Sequence, residues 1–386
     1  MSIFHPILAC IGLASLVVAA GYAIVTTAAV LAWQLRKRAV NPQRLPAVTV
    51  LKPLCGAEPD LYAHLRSFCL QNFPAYQLVF GMRDPADPAL LVVERLVAEF
   101  PLLPIAVVVN SQQHGSNLKV SNLINMVGRA CHDVLVFADS DTCVGPDYLA
   151  SVTAPLLDER VGLVTCIYRA VPTQTLWSRL GAMYMNEWYV PSVLLTWLFG
   201  YEGYVSGQTI CVRRPTLAAV GGLAALANHL ADDYLLGALV RGLGLRVVLS
   251  PYALHGEHHE ASFAALIRHE QRWMRTIRVL RPRSFGLIFL SFSFPLAVFG
   301  MALTAPEPSL AGAAWRLFAV AGSARLLLHL VHRFGTKRPL LADLWLLPVR
   351  DLLICLVWCQ SFLTSRVTWR GSEFNVDADG IMRRVS

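Results

Sequence analysis

A long apolar segment at the start of the chain is the feature that most limits how this sequence can fold. Residues 7–33 are almost entirely apolar, and Arg36, Lys37 and Arg38 follow closely. About 20 helical residues are enough to cross the hydrocarbon core of a bilayer. A cleavable signal peptide carries its positive charge before a shorter apolar core. We therefore predict an uncleaved membrane anchor, with its N-terminus outside and the chain from Arg36 onward in the cytosol.

Composition indicates that a globular domain accompanies the membrane segments. Of the 386 residues, 55% are hydrophobic and 15% are charged, whereas soluble domains are typically about 25% charged. The net charge is +8. The basic residues flank apolar runs without forming a nucleic-acid motif, so we expect membrane flanks and no nucleic-acid partner. The nine cysteines show no paired metal-binding spacing, which favours reduced thiols in a cytosolic main domain over a disulfide framework.

Strand and helix patterns alternate between residues 45 and 255. Short β-rich runs occur at 47–51, 77–81, 105–109 and 133–138, and helical patterns separate them at 60–71, 88–99 and 119–130. This alternation predicts an α/β fold with a mostly parallel sheet and helices on its faces. Ligands bind such sheets at the carboxyl ends of the strands, so functional residues are expected there.

Apolar runs return after residue 283, at 285–305, 311–331 and 344–365. The last run contains Arg350 and Asp351, and such charges at bilayer depth are costly unless they are paired or line a cavity. We expect this run to be a kinked span, a re-entrant element or an interfacial helix. Three C-terminal crossings would also place the Arg-bearing tail outside, against the positive-inside tendency, so we do not expect all three to cross.

These patterns predict a four-part organisation. Residues 1–36 form a transmembrane anchor, 37–282 a cytoplasmic domain, 283–370 the C-terminal membrane helices and 371–386 a tail.

A pair of carboxylates follows the predicted strand 133–138. Asp139 and Asp141 are two residues apart, and carboxylates so placed at a strand end can share a divalent cation. Mg²⁺ and Mn²⁺ prefer hard oxygen ligands together with substrate phosphates, and the ion would neutralise charge on a departing diphosphate. An isolated Asp-x-Asp is more often a polar turn, but its position after a buried strand favours the metal site.

Two further acidic residues, Asp232 and Asp233, precede a helical pattern. One reading is an N-cap, in which an Asp side chain accepts from free amide groups at the helix start. The other reading is a general base that takes a proton from an attacking hydroxyl. One of the two residues can serve each role.

A basic, aromatic helix carries His269, Arg272 and Trp273. It is either a solvated basic face near the membrane or a donor-binding element. In the second reading Arg272 binds a diphosphate, because its planar fork makes paired hydrogen bonds, and Trp273 packs beside the donor or acceptor.

Three other positions leave alternatives open. Asp84 follows the strand 77–81 and either accepts from a base or ribose, or forms a turn between prolines. Lys119 either contacts a phosphate or starts a helix. Trp188 lies in an aromatic-rich stretch, 184–201, which is either an interfacial element contacting the acceptor or a packed core segment.

The ordered motifs resemble the ceramide glucosyltransferase family over about residues 48–273. The matching stretches are Leu51-Lys-Pro-Leu-Cys-Gly, Asp84-Pro-Ala-Asp-Pro-Ala, Val161-Gly-Leu-Val, Gly207-Gln-Thr, Gly221-Gly-Leu and Ala231-Asp-Asp-Tyr. Within this family the chain is most similar to the bacterial hopanoid-biosynthesis glycosyltransferases. The resemblance implies an A-type glycosyltransferase fold in the bacterial inner membrane, with the catalytic domain on the cytoplasmic side.

The resemblance also implies roles for individual residues. Asp84 and Lys119 would contact the donor, Asp139 and Asp141 would hold Mn²⁺ or Mg²⁺ with the diphosphate, and Asp233 would be the base. Arg272 and Trp273 would complete the donor site. The acceptor-side candidates are His269, Asp232 and Trp188. Position 269 is usually Gln or Arg in the family, so the histidine is a departure.

The predicted reaction is an inverting transfer of N-acetylglucosamine from its UDP donor to a membrane lipid, bacteriohopanetetrol. A lipid acceptor also follows from position, because about a dozen helical residues, or about 18 Å, separate Trp273 from the next apolar run. The alternatives are ceramide glucosylation with UDP-glucose, processive polysaccharide synthesis, and a catalytically inactive scaffold that binds a nucleotide sugar. A processive synthase usually needs more membrane helices, and the complete acidic series argues against a scaffold.

Overall fold

The computed structural model describes residues 4–36, 45–58, 60–333, 339–363, 366–369, 372–377 and 380–384. Lys37 and Arg38 of the predicted basic flank, and Arg370 at the end of the predicted segment 283–370, lie outside these residues. The helices are α1 Phe4–Gln34, α2 Leu61–Cys69, α3 Ala89–Glu99, α4 Leu118–Val127, α5 Tyr148–Thr153, α6 Leu176–Tyr184, α7 Val190–Leu198, α8 Arg214–Ala219, α9 Asp232–Gly242, α10 Phe263–Leu280, α11 Pro282–Phe285, α12 Ser293–Thr304, α13 Ala311–Arg333 and α14 Leu346–Ser361.

The strands are β1 Val48–Pro53, β2 Tyr76–Met82, β3 Ile105–Val109, β4 Val134–Ala138, β5 Thr142–Cys143, β6 Val161–Pro172, β7 Thr209–Arg213, β8 Arg246–His258, β9 Arg366–Trp369, β10 Ser372–Val376 and β11 Met382–Arg384. The chain divides into two compact units. The helix unit comprises Met1–Leu35, Pro172–Gly200 and His258–Val367, and the sheet unit comprises Arg36–Val171, Tyr201–Glu257 and Thr368–Ser386.

The sheet unit is built on one large sheet. Within the described residues its strands lie in the order β3-β2-β1-β4-β7-β6-β8-β5. The first four strands are parallel, since β1 pairs in parallel with β2 and β4, and β2 with β3. The predicted strands 47–51, 77–81, 105–109 and 133–138 are therefore confirmed as β1 to β4. The carboxyl ends of these strands meet at one edge, where the parallel pattern places ligand sites.

The other half of the sheet was not foreseen. β7 pairs antiparallel with β4 and β6, and β5 pairs antiparallel with β8. Helices also separate β5, β6, β7 and β8 along the chain, so the strand–helix alternation by itself did not reveal that strands of this half pair antiparallel.

The core of the sheet unit lies between the sheet and the helices that follow its parallel strands. Leu51, Val79, Leu135 and Phe137 from β1, β2 and β4 are at most 2% exposed, and they pack with residues of α4 and α9 such as Leu236. Both faces of a parallel sheet are covered, which is why its strands read as continuous apolar runs.

Two helices of the helix unit are long and apolar enough to cross a membrane, among the described residues. They are His5–Gln34, which confirms the predicted N-terminal segment as a candidate span, and Pro308–Arg333. The predicted span 285–305 is different: its two parts, Pro282–Ser291 and Ser293–Thr304, are bent by 74°, so they form a broken span or a re-entrant loop.

Small residues let α1, α12 and α13 approach closely. Ala19 and Ala20 of α1 pack with Ala297 of α12 and Ala314 of α13. At Gly12 an added Cβ would lie 2.7 Å from a backbone oxygen of α12, so glycine is required at this crossing. Such small-residue contacts are typical of helices that pack in a bilayer.

The charges of the 344–365 run are paired, as their cost at depth requires. Arg350 Nη1 lies 2.6 Å from a carboxylate oxygen of Glu270, and Arg325 Nε lies 2.9 Å from a carboxylate oxygen of Asp351. Arg325 also contacts Glu187 at 2.9 Å. The helix α14 thus takes one ion-pair partner from α10 and another from α13.

The unit boundaries differ from the predicted domain 37–282. Residues 172–200 and 258–282 lie in the helix unit, and the tail 368–386 lies in the sheet unit. The reason is apolar packing: Leu180 of α6 and Leu266 of α10 form a buried cluster with Leu346 of α14. The sequence places α6 and α10 between predicted motifs of the cytoplasmic domain. Their amphipathic patterns do not show that they pack with α14, a helix far along the chain.

Candidate active site

The predicted carboxylate pair lies directly after β4. The side chain of Asp141 has a buried oxygen, Oδ1, with no hydrogen-bond partner among the described residues. Burial, reinforced by Asp139 and Glu58, raises the pKa of Asp141 to about 6. An unpartnered buried carboxylate oxygen is costly, and a divalent cation that accepts hard oxygen ligands would relieve the cost. Asp139 and Asp141 therefore fit an Mn²⁺ or Mg²⁺ ion.

Lys119 links this pair to the rest of the site. The helix α4 begins after Asn117, whose side-chain oxygen accepts from the amide nitrogens of Lys119 and Val120. In the first turn, Lys119 Nζ lies 2.6 Å from Asp139 Oδ1 and donates to the carbonyl oxygen of Gly207 at 3.1 Å. Burial opposes the charge of Lys119, but the nearby carboxylates, led by Asp139, more than offset it and raise its pKa. Lys119 thus carries a positive charge at the strand edge, besides its place in the helix start.

The second acidic pair opens α9. The N-cap position is Ala231, without a side-chain hydrogen bond, so neither Asp is the N-cap residue. Asp233 Oδ2 instead accepts from the Gly207 amide nitrogen at 2.8 Å, and its Oδ1 accepts from the Tyr234 amide nitrogen at 2.7 Å. The Asn117 side chain donates to Asp232 at 3.2 Å.

The electrostatic environment of Asp233 favours proton exchange near neutrality. Burial and the neighbouring Asp232 raise the pKa of Asp233 to about 6, although Lys119 acts in the opposite direction. Gly207 makes the arrangement possible, because a Cβ there would lie 3.1 Å from Lys119 Nζ and 3.3 Å from Asp233 Oδ2. Gly207 thus bonds to both Lys119 and Asp233, and Lys119 in turn pairs with Asp139.

Lys52 was not assigned a role by the sequence analysis. This fully buried residue of β1 donates from Nζ to the backbone oxygen of Asp139 at 2.6 Å, and its Nζ lies 3.6 Å from the centre of the Phe68 ring. Burial lowers its pKa to about 7. The available signal was a lysine within an otherwise apolar strand.

The loop before α9 is braced by the end of the chain. Leu230 donates its amide to the Gly380 carbonyl oxygen at 3.0 Å, and Met382 donates to the Asn228 carbonyl oxygen at 2.9 Å. β11 therefore supports the segment that positions Asp233.

Asp84 lies at the same edge of the sheet, after β2, but it stands apart. It is exposed, and its side chain accepts from the Ala86 amide at 2.8 Å, forming a turn. Among the described residues it makes no hydrogen bond to the cluster of Lys119, Asp139 and Asp233. This geometry matches the turn alternative and leaves the nucleotide role as a prediction.

The remaining candidates belong to the helix unit. His269 and Trp273 lie one turn apart on α10 with ring centres 4.1 Å apart, and Trp273 stacks on Tyr184 at 5.4 Å. Arg272 is partly buried, which lowers its pKa. In the described part of the chain no hydrogen bond or ion pair of its guanidinium is found, and Glu260 acts on its pKa in the opposite direction to burial.

Trp188 lies in a π-helical turn, Met185–Tyr189, and donates to Ser291 Oγ at 2.8 Å. Its ring packs against Tyr184 at 5.1 Å and Phe292 at 5.8 Å. These contacts support the packed-core reading for this part of the aromatic stretch, while Tyr201 at its end is exposed.

A parallel sheet ending in paired carboxylates, with a lysine and a second acidic pair alongside, defines a glycosyltransferase of the A type. The chain belongs to glycosyl transferase family 21, whose family model matches residues 13–382. The predicted family, the fold class and the glycosyltransferase activity are thereby confirmed.

Among curated proteins, Ceramide glucosyltransferase 1 from Caenorhabditis elegans is 20% identical over 361 residues, which cover 88% of this chain and 73% of that protein. Ceramide glucosyltransferase from Candida albicans is 31% identical over 114 residues, covering 26% of this chain and 21% of that protein.

The fold is similar to that of mannosyltransferase PcManGT from Pyrobaculum calidifontis, solved in complex with GDP-Man and Mn²⁺. The structural alignment covers 92% of this chain and 99% of the mannosyltransferase chain, with 18% sequence identity and a TM-score of 0.54.

Proposed function

We propose that this protein transfers a sugar from a nucleotide-sugar donor to a hydroxyl of a membrane lipid, with inversion at the anomeric carbon. One observation carries the proposal: Asp233 and Asp139 are joined through Lys119 and Gly207 at the end of the parallel strands. These contacts support one array in which Asp233 would act as the base, Asp139 as a metal ligand and Lys119 as a cation for the phosphates.

Asp233 is the proposed general base. Hydrogen bonds from the amide nitrogens of Gly207 and Tyr234 fix its carboxylate, and a pKa of about 6 leaves it ionised at neutral pH yet basic enough to accept a proton. It takes the proton of the acceptor hydroxyl as that oxygen attacks the anomeric carbon and the bond to the diphosphate breaks.

Asp139 and Asp141 are the proposed ligands of Mn²⁺ or Mg²⁺. A bound ion supplies charge neutralisation for the departing diphosphate. Lys119 adds a second positive charge at the same strand edge, and Lys52 fixes the turn by donating to the Asp139 backbone oxygen. We retain Asp84, Arg272 and Trp273 as proposed donor contacts on the sequence resemblance. Asp232, His269 and Trp188 likewise remain proposed acceptor-side residues.

For the donor and acceptor we propose UDP-N-acetylglucosamine and the hopanoid bacteriohopanetetrol. This choice is supported by the resemblance of the motifs to the hopanoid-biosynthesis glycosyltransferases. The alternative is glucosylation of ceramide from UDP-glucose, which the names of the curated relatives favour. The candidate spans His5–Gln34 and Pro308–Arg333 support a lipid acceptor in either case.

We propose that the protein lies in the bacterial inner membrane with its sheet unit in the cytoplasm. Arg36 follows the anchor directly, as the positive-inside tendency expects of a cytoplasmic flank. The tail pairs with the loop before α9, so the chain between them crosses the bilayer an even number of times. The bent pair Pro282–Thr304 and α13 would provide two crossings.

Mass spectrometry of lipid products tests the proposal. Membranes containing the protein are incubated with UDP-N-acetylglucosamine or UDP-glucose, each with bacteriohopanetetrol or ceramide, with Mn²⁺ and with a chelator. We expect a metal-dependent N-acetylglucosaminyl hopanoid. If only ceramide yields a product, the proposed hopanoid acceptor is wrong, but the proposed glycosyltransferase activity stands. Absence of every product and of metal-dependent UDP release would instead favour a scaffold that binds a nucleotide sugar.

A further inference from the structure

Two histidines and a glutamate converge where β8 ends and α10 begins. Ligand atoms of His258, Glu260 and His269 all lie within 4.8 Å of one another. His258 and Glu260 are buried, at 5% and 4% exposure. No step of the proposed sugar transfer uses His258 or Glu260.

The ligand atoms of the cluster are close enough together to coordinate one small cation. Glu260 Oε1 lies 3.6 Å from His258 Nε2 and 2.6 Å from His269 Nδ1. Ligand atoms about 2.0–2.1 Å from a tetrahedral ion are about 3.3 Å apart. The first distance is close to this value. The second must open by less than 1 Å, which the His269 side chain allows because it is 32% exposed.

One nitrogen in the cluster lacks a partner. His258 Nε2 is buried, and no described residue forms a hydrogen bond with it. Buried polar atoms are nearly always satisfied, so this nitrogen indicates a missing ligand. The fold makes room for the ring, since a Cβ at Gly181 of α6 would collide with His258 Nε2.

The scaffold around these side chains is fixed from α6. Thr175 Oγ1, at the helix cap, donates to the Glu260 carbonyl oxygen at 2.8 Å. Ser178 Oγ donates to the carbonyl oxygen of His258. The backbones of His258 and Glu260 are therefore held in place by α6, as a preformed metal site requires.

We propose that His258, Glu260 and His269 bind a transition-metal ion of the zinc class. Two imidazoles and one carboxylate are a donor set that suits Zn²⁺ and leaves a fourth position open. The donor set differs from the all-oxygen pair Asp139 and Asp141, which suits Mg²⁺ or Mn²⁺. The ion would fix the first turns of α10, and through the contact of His269 with Trp273 it would position that ring.

Metal analysis of the full-length protein in detergent tests this site. The protein is stripped with a chelator and titrated with Zn²⁺, and in parallel with Co²⁺, whose visible absorption reports four-coordinate binding. To remove the carboxylate site, the measurements use Asp139→Asn/Asp141→Asn as the background. The variants Glu260→Gln and His269→Gln are compared with His259→Gln, a matched control because His259 is exposed.

We expect about one Zn²⁺ per chain and the Co²⁺ absorption in the background and in the His259→Gln control. Changing even an outer partner of a metal site costs about 10–100-fold in affinity, so losing a direct ligand in Glu260→Gln or His269→Gln should cost about 100-fold or more. Equal Zn²⁺ binding in all variants, or no Zn²⁺ binding in the background, would overturn the proposal. Because the readout is metal content, the result is independent of the proposed sugar transfer.

Discussion

The two units use charge in opposite ways. In the helix unit the buried acids next to α14 have arginine partners: Glu270 pairs with Arg350, and Asp351 with Arg325. At the strand edge of the sheet unit the four clustered aspartates outnumber the two lysines beside them, and Asp141 keeps a buried oxygen without a partner among the described residues. Matched charges hold helices together, whereas unmatched carboxylates with raised pKa values mark a place where chemistry occurs. This contrast predicts which substitutions affect activity and which affect stability.

Asp233→Asn should have the largest effect, and it should fall on activity. Removing a general base lowers the rate by about 10²–10⁴-fold. The free energy of unfolding should stay unchanged or rise, because a partly compensated carboxylate is removed. Initial rates of UDP release and thermal unfolding measure the two quantities. The control is Asp158→Asn, in an exposed pair with Arg160. Equal rates for Asp233→Asn and wild type would remove Asp233 from the mechanism.

Arg350→Met should instead act on stability. It leaves Glu270 buried without its partner, which costs about 3–5 kcal/mol in the free energy of unfolding. The double variant Arg350→Met/Glu270→Leu should recover most of this loss, because both charges are gone. Thermal unfolding in detergent checks both variants. If the double variant is as unstable as the single one, the unpaired charge of Glu270 is not the cause of the loss.

The pH dependence should separate activity from stability. With a pKa of about 6 for Asp233, kcat/KM should fall by about tenfold per pH unit below that value as the base becomes protonated. The pKa of Asp233 in the folded protein lies above 3.8, the ordinary value of an Asp carboxyl. This group therefore contributes stability that is fully present below pH 3.8 and is lost as the pH rises through about 6.

A pH–rate profile with parallel unfolding measurements checks the opposite trends. Lys119→Met sharpens the test, because Lys119 holds the pKa of Asp233 down. The acidic limb of that variant should move to higher pH. An unchanged limb would contradict the assignment of Asp233.

Deleting the chain from Gly380 onward should have a moderate effect on activity. The loop before α9 then loses its bonds to Gly380 and Met382. Two hydrogen bonds at about 1 kcal/mol each sum to about 2 kcal/mol, so we expect a loss of up to about 30-fold in kcat/KM. Deletion of Val385 and Ser386 alone is the control. Full activity after the longer deletion would show that the brace is dispensable.

Arg246→Ala should have the smallest effect. Arg246 pairs with Glu202 at the surface of the sheet unit, and its side chain is 50% exposed. Such pairs contribute about 0–1 kcal/mol, so activity and the melting temperature should hardly change. A clearly lower melting temperature would mean that ion pairs of the sheet unit also stabilise the fold.

The sequence predicted the parallel half of the fold well because local patterns encode it. Apolar runs of strand length ended at acidic residues, and β4 ends just before Asp139 as predicted. The partners of those acids were beyond reach, because Lys119 meets Gly207 across 88 positions of the chain. Lys52 was missed for a related reason: its role depends on a neighbouring strand, and its own strand read only as apolar.

The helix unit was harder to predict. Its segments are separated along the chain, and the apolar faces of α6 and α10 resemble those of any amphipathic helix. The pairing of Arg350 with Glu270 spans 80 positions. The apolar run around Arg350 and Asp351 correctly indicated that both charges need partners. The sequence could not identify those partners as Glu270 and Arg325.

The brace formed by β11 also sets an order of events during synthesis. Residues 380–384 leave the ribosome only after α1, α12 and α13 have been made. The loop that carries Asn228 and Leu230 acquires its final hydrogen bonds only then. A nascent chain that has not yet been synthesised through β11 therefore lacks the hydrogen bonds that brace the loop before Asp233.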